Sequence, residues 1–330
     1  MRERQPPLEF SSPLGPQMRE FIREKQASGY RYTGEIWLLR RLDRFLCEQR
    51  ASGIELAKPV VDRWTARQPH ESPTSQQIRV SLVRQFARFL HRRDITAHVP
   101  DERLAPRRKL DFVPHIFSRR EVAKLIHAVD DLPSDFRAPL RHLIMPEVFR
   151  LLYGCGMRVS EVLRLKVADV DLAEGILLVR EGKFRKDRLV PLAPSLAERM
   201  RRYASGRGPR APEDIFFPAP DRGRYSLSVV YAVFRRLLWA CGIPHGGRGK
   251  GPRVHDLRHT FAVHRLEAWY RSGEDLGAKL PVLAVYMGHQ APSGTQRYLR
   301  LTPEIFPDII KRLDAATGDI IPSGPSHETD

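Results

Sequence analysis

Ile176-Leu-Leu-Val-Arg-Glu-Gly-Lys-Phe-Arg-Lys-Asp-Arg-Leu-Val190 contains two short β-prone runs, Ile176 to Val179 and Arg188 to Val190, around the polar, glycine-containing segment Gly182 to Asp187. This pattern predicts a β-hairpin with Lys183 near its tip. The rest of the chain reads as helices and their connections. The expectation is therefore a mainly α protein with one small β-sheet.

On the N-terminal side, Leu14, Met18, Phe21 and Ile22 recur at helical spacing. So do Ile36, Leu39, Leu42 and Leu46, and then Ile78, Leu82, Phe86, Phe89 and Leu90. A shorter helix fits between them at Val60 to Ala66, and no convincing strand precedes residue 100. Residues 12–97 thus read as an all-helical bundle after a flexible stretch, 1–11. Pro100, Pro106 and Pro114 then break the periodicity, so residues 98–117 read as a basic linker containing Arg107-Arg108-Lys109. Ser118-Arg-Arg-Glu121 has the form of a capping box and opens a second domain, 118–316. Within it, helices are expected at 136–153, 195–203, 227–240, 255–270, 281–287 and 303–313. Residues 317–330 read as a short flexible tail.

The chain has 330 residues and 42% hydrophobic content, enough for a core in each of two domains. Its formal charge of +17 divides into +7 before residue 100 and +10 after it. Such self-repulsion favours a polyanionic partner, and nucleic acid is the default, although a basic surface alone is also compatible with an uninvolved one. Cys47, Cys155 and Cys241 are widely spaced and form no Cys-x-x-Cys pair, which argues against a disulfide framework or a zinc site. No run approaches the roughly 18 apolar residues of a membrane helix. A cytoplasmic protein with no membrane partner is expected.

Four further groups of residues carry chemistry. Arg158, after Gly154-Cys-Gly-Met, opens a helix; it reads either as a surface arginine or as a phosphate clamp assisted by backbone N–H groups. His255 and Arg258 lie three apart and share one helix face, in a segment that also holds His259 and His264 and that reads equally as a solvated basic face. Lys183 could be an ordinary turn lysine or a proton donor reaching over a substrate, with Arg185, Lys186 and Arg188 as phosphate contacts. Tyr298, nine residues after His289, is one of nine tyrosines and in isolation would be a packing residue. Order and spacing together change that estimate.

The series Gly-Met-Arg158-Val-Ser-Glu161-Val-Leu, a Gly-Lys183 hairpin, His255-Asp-Leu-Arg258-His-Thr-Phe-Ala, Met-Gly-His289 and Tyr298 resembles the tyrosine recombinase (phage integrase) family, in its Xer-like and integrase-like bacterial branch. The resemblance spans Ser118 to Leu313. It implies a helical, SAM-like core-binding bundle joined to an α+β catalytic domain. It also implies that Arg158, Lys183, His255, Arg258, His289 and Tyr298 are catalytic, with Tyr298 the nucleophile and Glu161 orienting Arg158. Two features depart from the commonest pattern: the segment Ser272 to Lys279 is longer, and Pro and Gly occur in Gln290 to Thr295.

The activity implied by the resemblance is cleavage and rejoining of DNA through a 3′-phosphotyrosyl link, with no metal, ATP or other cofactor. His255 would assist proton transfer at Tyr298, Lys183 would protonate the leaving 5′-oxygen, and His289 would hydrogen-bond the phosphate. Expected partners are a double-stranded DNA recombination site and three further copies, a homotetramer on DNA, with sister recombinases or accessory proteins. The setting would be bacterial and nucleoid-associated, with a mobile-element integrase or transposon recombinase favoured over a chromosome-dimer resolvase. The alternatives are type IB topoisomerase-like relaxation and a non-catalytic DNA-binding accessory protein.

Overall fold

The computed structural model describes residues 9–30, 32–49, 53–104, 113–180, 187–247, 251–289, 295, 298 and 299. The expectations for Arg107, Arg108, Lys109, Lys183, Arg185, Lys186, the helix 303–313 and the tail fall outside these residues. The chain divides into two compact units, residues 1–112 and 113–330.

The first unit is built from α1 (Gly15–Ala27), α2 (Thr33–Glu48), α3 (Lys58–Thr65) and α4 (Pro73–His91). Each helix turns its apolar stripe inward, and Met18, Phe21, Leu39, Val61, Phe86 and Phe89 form a common core. Ser72 caps α4 by accepting from the Ser75 amide, and Pro73 occupies the first helical position, where its missing N–H costs nothing. Arg79 can be buried in this unit because its guanidinium donates to Glu71 and to the carbonyls of Trp64 and Ala66.

In the second unit, α5 (Arg119–Asp130) begins with the expected capping box, the Ser118 hydroxyl accepting from the Glu121 amide and Glu121 accepting from the Ser118 amide. Next come α6 (Arg141–Gly154), the single turn α7 (Val159–Val162), β1 (Val170–Asp171), β2 (Ile176–Val179) and β3 (Arg188–Pro191). The unit continues with α8 (Pro194–Arg207), α9 (Leu227–Ala240), α10 (Asp256–Arg271) and α11 (Leu276–Met287). The three strands form one antiparallel sheet in chain order, with Leu177 opposite Val190 and Val179 opposite Arg188. Val148, Phe149, Leu152, Phe217 and Phe234 lie in the main core. A smaller cluster joins α10 to α11 through Phe261, Leu266, Leu283 and Met287.

Two helix starts differ from expectation. α6 begins at Arg141 and not at 136, because Asp135 accepts from the Arg137 amide and forms a turn that leaves Phe136 exposed. α11 begins at Leu276 and carries Pro281 inside it, where the sequence pattern predicts a start at 281. Asp275 caps it by accepting from the Gly277 amide, so the long segment after Arg258 forms a tight turn and an extra helical turn.

Candidate active site

α10 positions most of the site. Unlike a surface helix it is buried on nearly every side, from Asp256 through His264 and again at Leu266 and Glu267. The reading of His255, Arg258, His259 and His264 as a solvated basic face therefore fails for all but the first, which stays open to solvent at the helix start. Charged groups inside a protein persist only when paired, and those of α10 are. Asp256 accepts from the Arg253 backbone amide at 2.9 Å and from its guanidinium at 3.1 Å. Arg258, 1% exposed, donates to the carbonyls of Gly156 at 2.6 Å and Met287 at 2.5 Å.

The end of α11 explains why several arginines gather here. The last carbonyls of a helix have no partner inside it and form its negative pole. Three successive ones, of Tyr286, Met287 and Gly288, accept from Arg188 Nε at 2.9 Å, Arg258 Nη2 at 2.5 Å and Arg158 Nη2 at 3.4 Å respectively. Arg158, the residue before α7, is further held by Glu161, with Nη1 to Oε1 at 2.7 Å and its own amide to Oε2 at 2.9 Å. Burial would raise the Glu161 carboxyl, but Arg188 and then Arg158 outweigh it and hold the group at about 2. Burial, and then Arg158, lower the Arg258 guanidinium to about 10, so it remains positive at neutral pH.

Two glycines make this arrangement possible. Gly156 (φ +59°) presents its carbonyl to Arg258, and a Cβ there would lie 2.3 Å from the Phe261 ring. Gly288 (φ +69°) closes α11, and a Cβ there would crowd the Arg188 guanidinium at 3.1 Å. Gly156→Ala combines a left-handed alanine with overpacking, and is expected to destabilise the protein by roughly 2–4 kcal/mol. Urea unfolding should show this, and Phe261→Ala should offset part of the added cost. Additive losses in the double variant would contradict a steric origin.

The Tyr298 hydroxyl lies 2.9 Å from His259 Nδ1, with both side chains buried at 1% and 6% exposure. The expected partner was His255. That residue instead stacks edge-on against His259, ring centroids 4.8 Å apart, and faces an open cleft of about 450 Å³ shared with Arg158, Arg253, Leu227 and Tyr231. Although one side of the ring is open to the cleft, burial of the rest of it, and then Arg258, Arg253 and Arg158, push its pKa down to about 4, so it is neutral at pH 7. His289 stacks on Tyr298 with centroids 6.2 Å apart and makes a 2.8 Å hydrogen bond from Nδ1 to the Thr295 hydroxyl.

The structure therefore brings Arg158, Glu161, His255, Arg258, His289 and Tyr298 into one neighbourhood. Arg188, expected among the phosphate contacts, is turned inward onto Glu161 and Tyr286. His259 was not among the expected site residues. Its only sequence signal is its place one helical turn after His255.

A family model described as the phage integrase family matches residues 116–304, more than half of the chain. Among curated proteins, the chain is 33% identical over 293 residues to the putative integrase/recombinase y4rE of Sinorhizobium fredii, covering 88% of this chain and 92% of that one. It is 34% identical over 205 residues to the tyrosine recombinase XerA of Thermococcus kodakarensis, covering 62% of this chain and 64% of that one. Among solved structures, the Tn1549 transposon integrase in complex with transposon right end DNA superposes with a TM-score of 0.59 at 14% identity, covering 86% and 94% of the two chains, a likeness of fold. The chain belongs to the phage integrase family, the tyrosine-type site-specific recombinases.

Proposed function

We propose that this protein cleaves and rejoins double-stranded DNA at a specific site through a 3′-phosphotyrosyl intermediate formed on Tyr298. The observation that carries the reading is the meeting of a buried phenol with two arginines held on adjacent carbonyls. Arg258 rests on Met287 and Arg158 on Gly288, immediately before His289, and the Tyr298 hydroxyl is bonded to the residue after Arg258.

The chemistry derives from the groups. Tyr298 Oη attacks phosphorus, the P–O bond to the 5′-oxygen breaks, and the energy of the phosphodiester is kept in the new P–O bond to tyrosine, so no nucleotide is consumed. Arg158 and Arg258 stabilise the extra negative charge on the non-bridging oxygens by charge-assisted hydrogen bonds. His289 adds a hydrogen bond, and Lys183 returns a proton to the departing 5′-oxygen.

At the nucleophile the geometry favours His259 over His255. In its Nε2-protonated tautomer, Nδ1 accepts from the phenol and can take up its proton as Tyr298 attacks. His255, neutral and facing the cleft beside Arg158, is then placed to hydrogen-bond a phosphate oxygen. Arg107, Arg108, Lys109, Arg185 and Lys186 supply charge for the flanking backbone. Strand exchange between two duplexes needs four such sites, hence a homotetramer on DNA, joined by sister recombinases or accessory proteins where the system uses them. A mobile genetic element in a bacterial nucleoid is the setting.

The test is direct. The protein is incubated with nicked duplexes carrying a randomised core, covalent complexes are recovered and digested, and the DNA-linked peptide is mapped by mass spectrometry. The linkage is expected on Tyr298. A linkage on any other residue would refute the assignment.

A further inference from the structure

Arg188 is the most fully held arginine around the site, yet it has no part in the cleavage steps. Its Nη1 and Nη2 donate to Glu161 Oε1 and Oε2 at 3.0 and 2.8 Å, a bidentate pair, and its Nε donates to the Tyr286 carbonyl at 2.9 Å. Both partners of the ion pair are nearly buried. Glu161 Oε1 is at the same time the acceptor for Arg158 Nη1. One carboxylate is therefore shared by two guanidinium groups, and Gly288 leaves the room that Arg188 occupies.

The sharing has an electrostatic consequence. A carboxylate in contact with Arg158 orients it, but alone it would also cancel its charge, since the two form a neutral pair at 2.7 Å. An arginine cancelled by its own carboxylate is a poor ligand for a phosphate. With Arg188 present, Arg158, Glu161 and Arg188 together carry one net positive charge.

We propose that Arg188 is a positioning residue that neutralises Glu161, so that this carboxylate orients Arg158 toward the scissile phosphate without cancelling its charge. Because Arg188 is the first residue of β3, the same contacts tie the hairpin strand to the last turn of α11. The proposal rests on the reading of Arg158 as a phosphate ligand.

The test is a double-mutant cycle on the full-length protein, using a duplex selected from the randomised nicked pool and reading the rate of covalent adduct formation at saturating duplex. Arg188→Gln is expected to slow adduct formation on the order of tenfold or more, as loss of a supporting contact behind a reactive group does. Glu161→Gln removes the charge that Arg188 opposes, so adding Arg188→Gln in that background should change the rate little. Arg188→Lys keeps the charge and should retain most of the rate.

Multiplying losses in the double variant would overturn the proposal, as would an undiminished rate in Arg188→Gln. If Arg188→Gln does not fold, as thermal melting would show, Arg188→Lys and the charge-neutral double variant decide. A rate in Arg188→Lys as low as that of Tyr298→Phe would refute the electrostatic role. Failure of the underlying reading looks different: the wild-type protein itself would give no Tyr298-linked adduct.

Discussion

Tyr298→Phe should bind the selected duplex about as tightly as the wild type and form no covalent adduct. The substitution removes one oxygen and leaves the ring that packs with Phe261, Leu283 and Met287. Its structural cost is the hydrogen bond to His259 Nδ1, about 1 kcal/mol with some further penalty for the buried ring nitrogen. Its chemical cost is complete, since no other atom at this position can attack phosphorus. DNA affinity is expected to come from arginines and lysines elsewhere and to remain salt-dependent in the same way. Gel-shift titration and trapping on the nicked duplex separate the two effects. Adduct formation by Tyr298→Phe at the wild-type yield would end the proposal.

Arg258→Lys should reduce the rate of adduct formation by roughly 10²- to 10³-fold at saturating duplex, the loss expected when a preorganised donor to a transition-state oxyanion is removed. Lysine keeps the charge but not the planar fork. Arg258 uses that fork to reach the carbonyls of Gly156, in the connection before α7, and Met287, at the end of α11, while leaving further N–H groups for an anion. One ammonium cannot span the same pair, and a buried carbonyl left without a donor costs roughly 1–3 kcal/mol. The variant should therefore also melt at lower temperature. A normal rate in Arg258→Lys would show that Arg258 is a structural clamp for the α7 and α11 ends and not a phosphate ligand.

These expectations rest on features of differing legibility. The capping box at Ser118 and Glu121 and the strands around Gly182 were readable because each depends on residues close in sequence. The helical run around Arg258 was readable for the same reason. The spacing of His255 and Arg258 put the two on one stretch of helix. It could not show which histidine meets Tyr298, because the helix begins at Asp256 and leaves His255 at its open end, while His259 lies a turn deeper, beneath the tyrosine. The contacts of Arg188 were hidden for a related reason. In a strand bordering a basic turn it looks like one more cation for a polyanion, and only the packing of α11 against β3 shows that its guanidinium points to Glu161 and Tyr286.

The sequence by itself determined the class of fold, the order of the elements and the family, because periodicity, caps and the ordered series from Arg158 to Tyr298 are local properties of the chain. Tertiary structure alone decided which charges are buried and how they are divided. The three carbonyls that end α11 become a common acceptor for Arg158, Arg188 and Arg258 only when segments up to 130 residues apart converge on them. Once those groups are withdrawn from water, each must find a partner, and the choice of partners sets which arginine remains available to a phosphate.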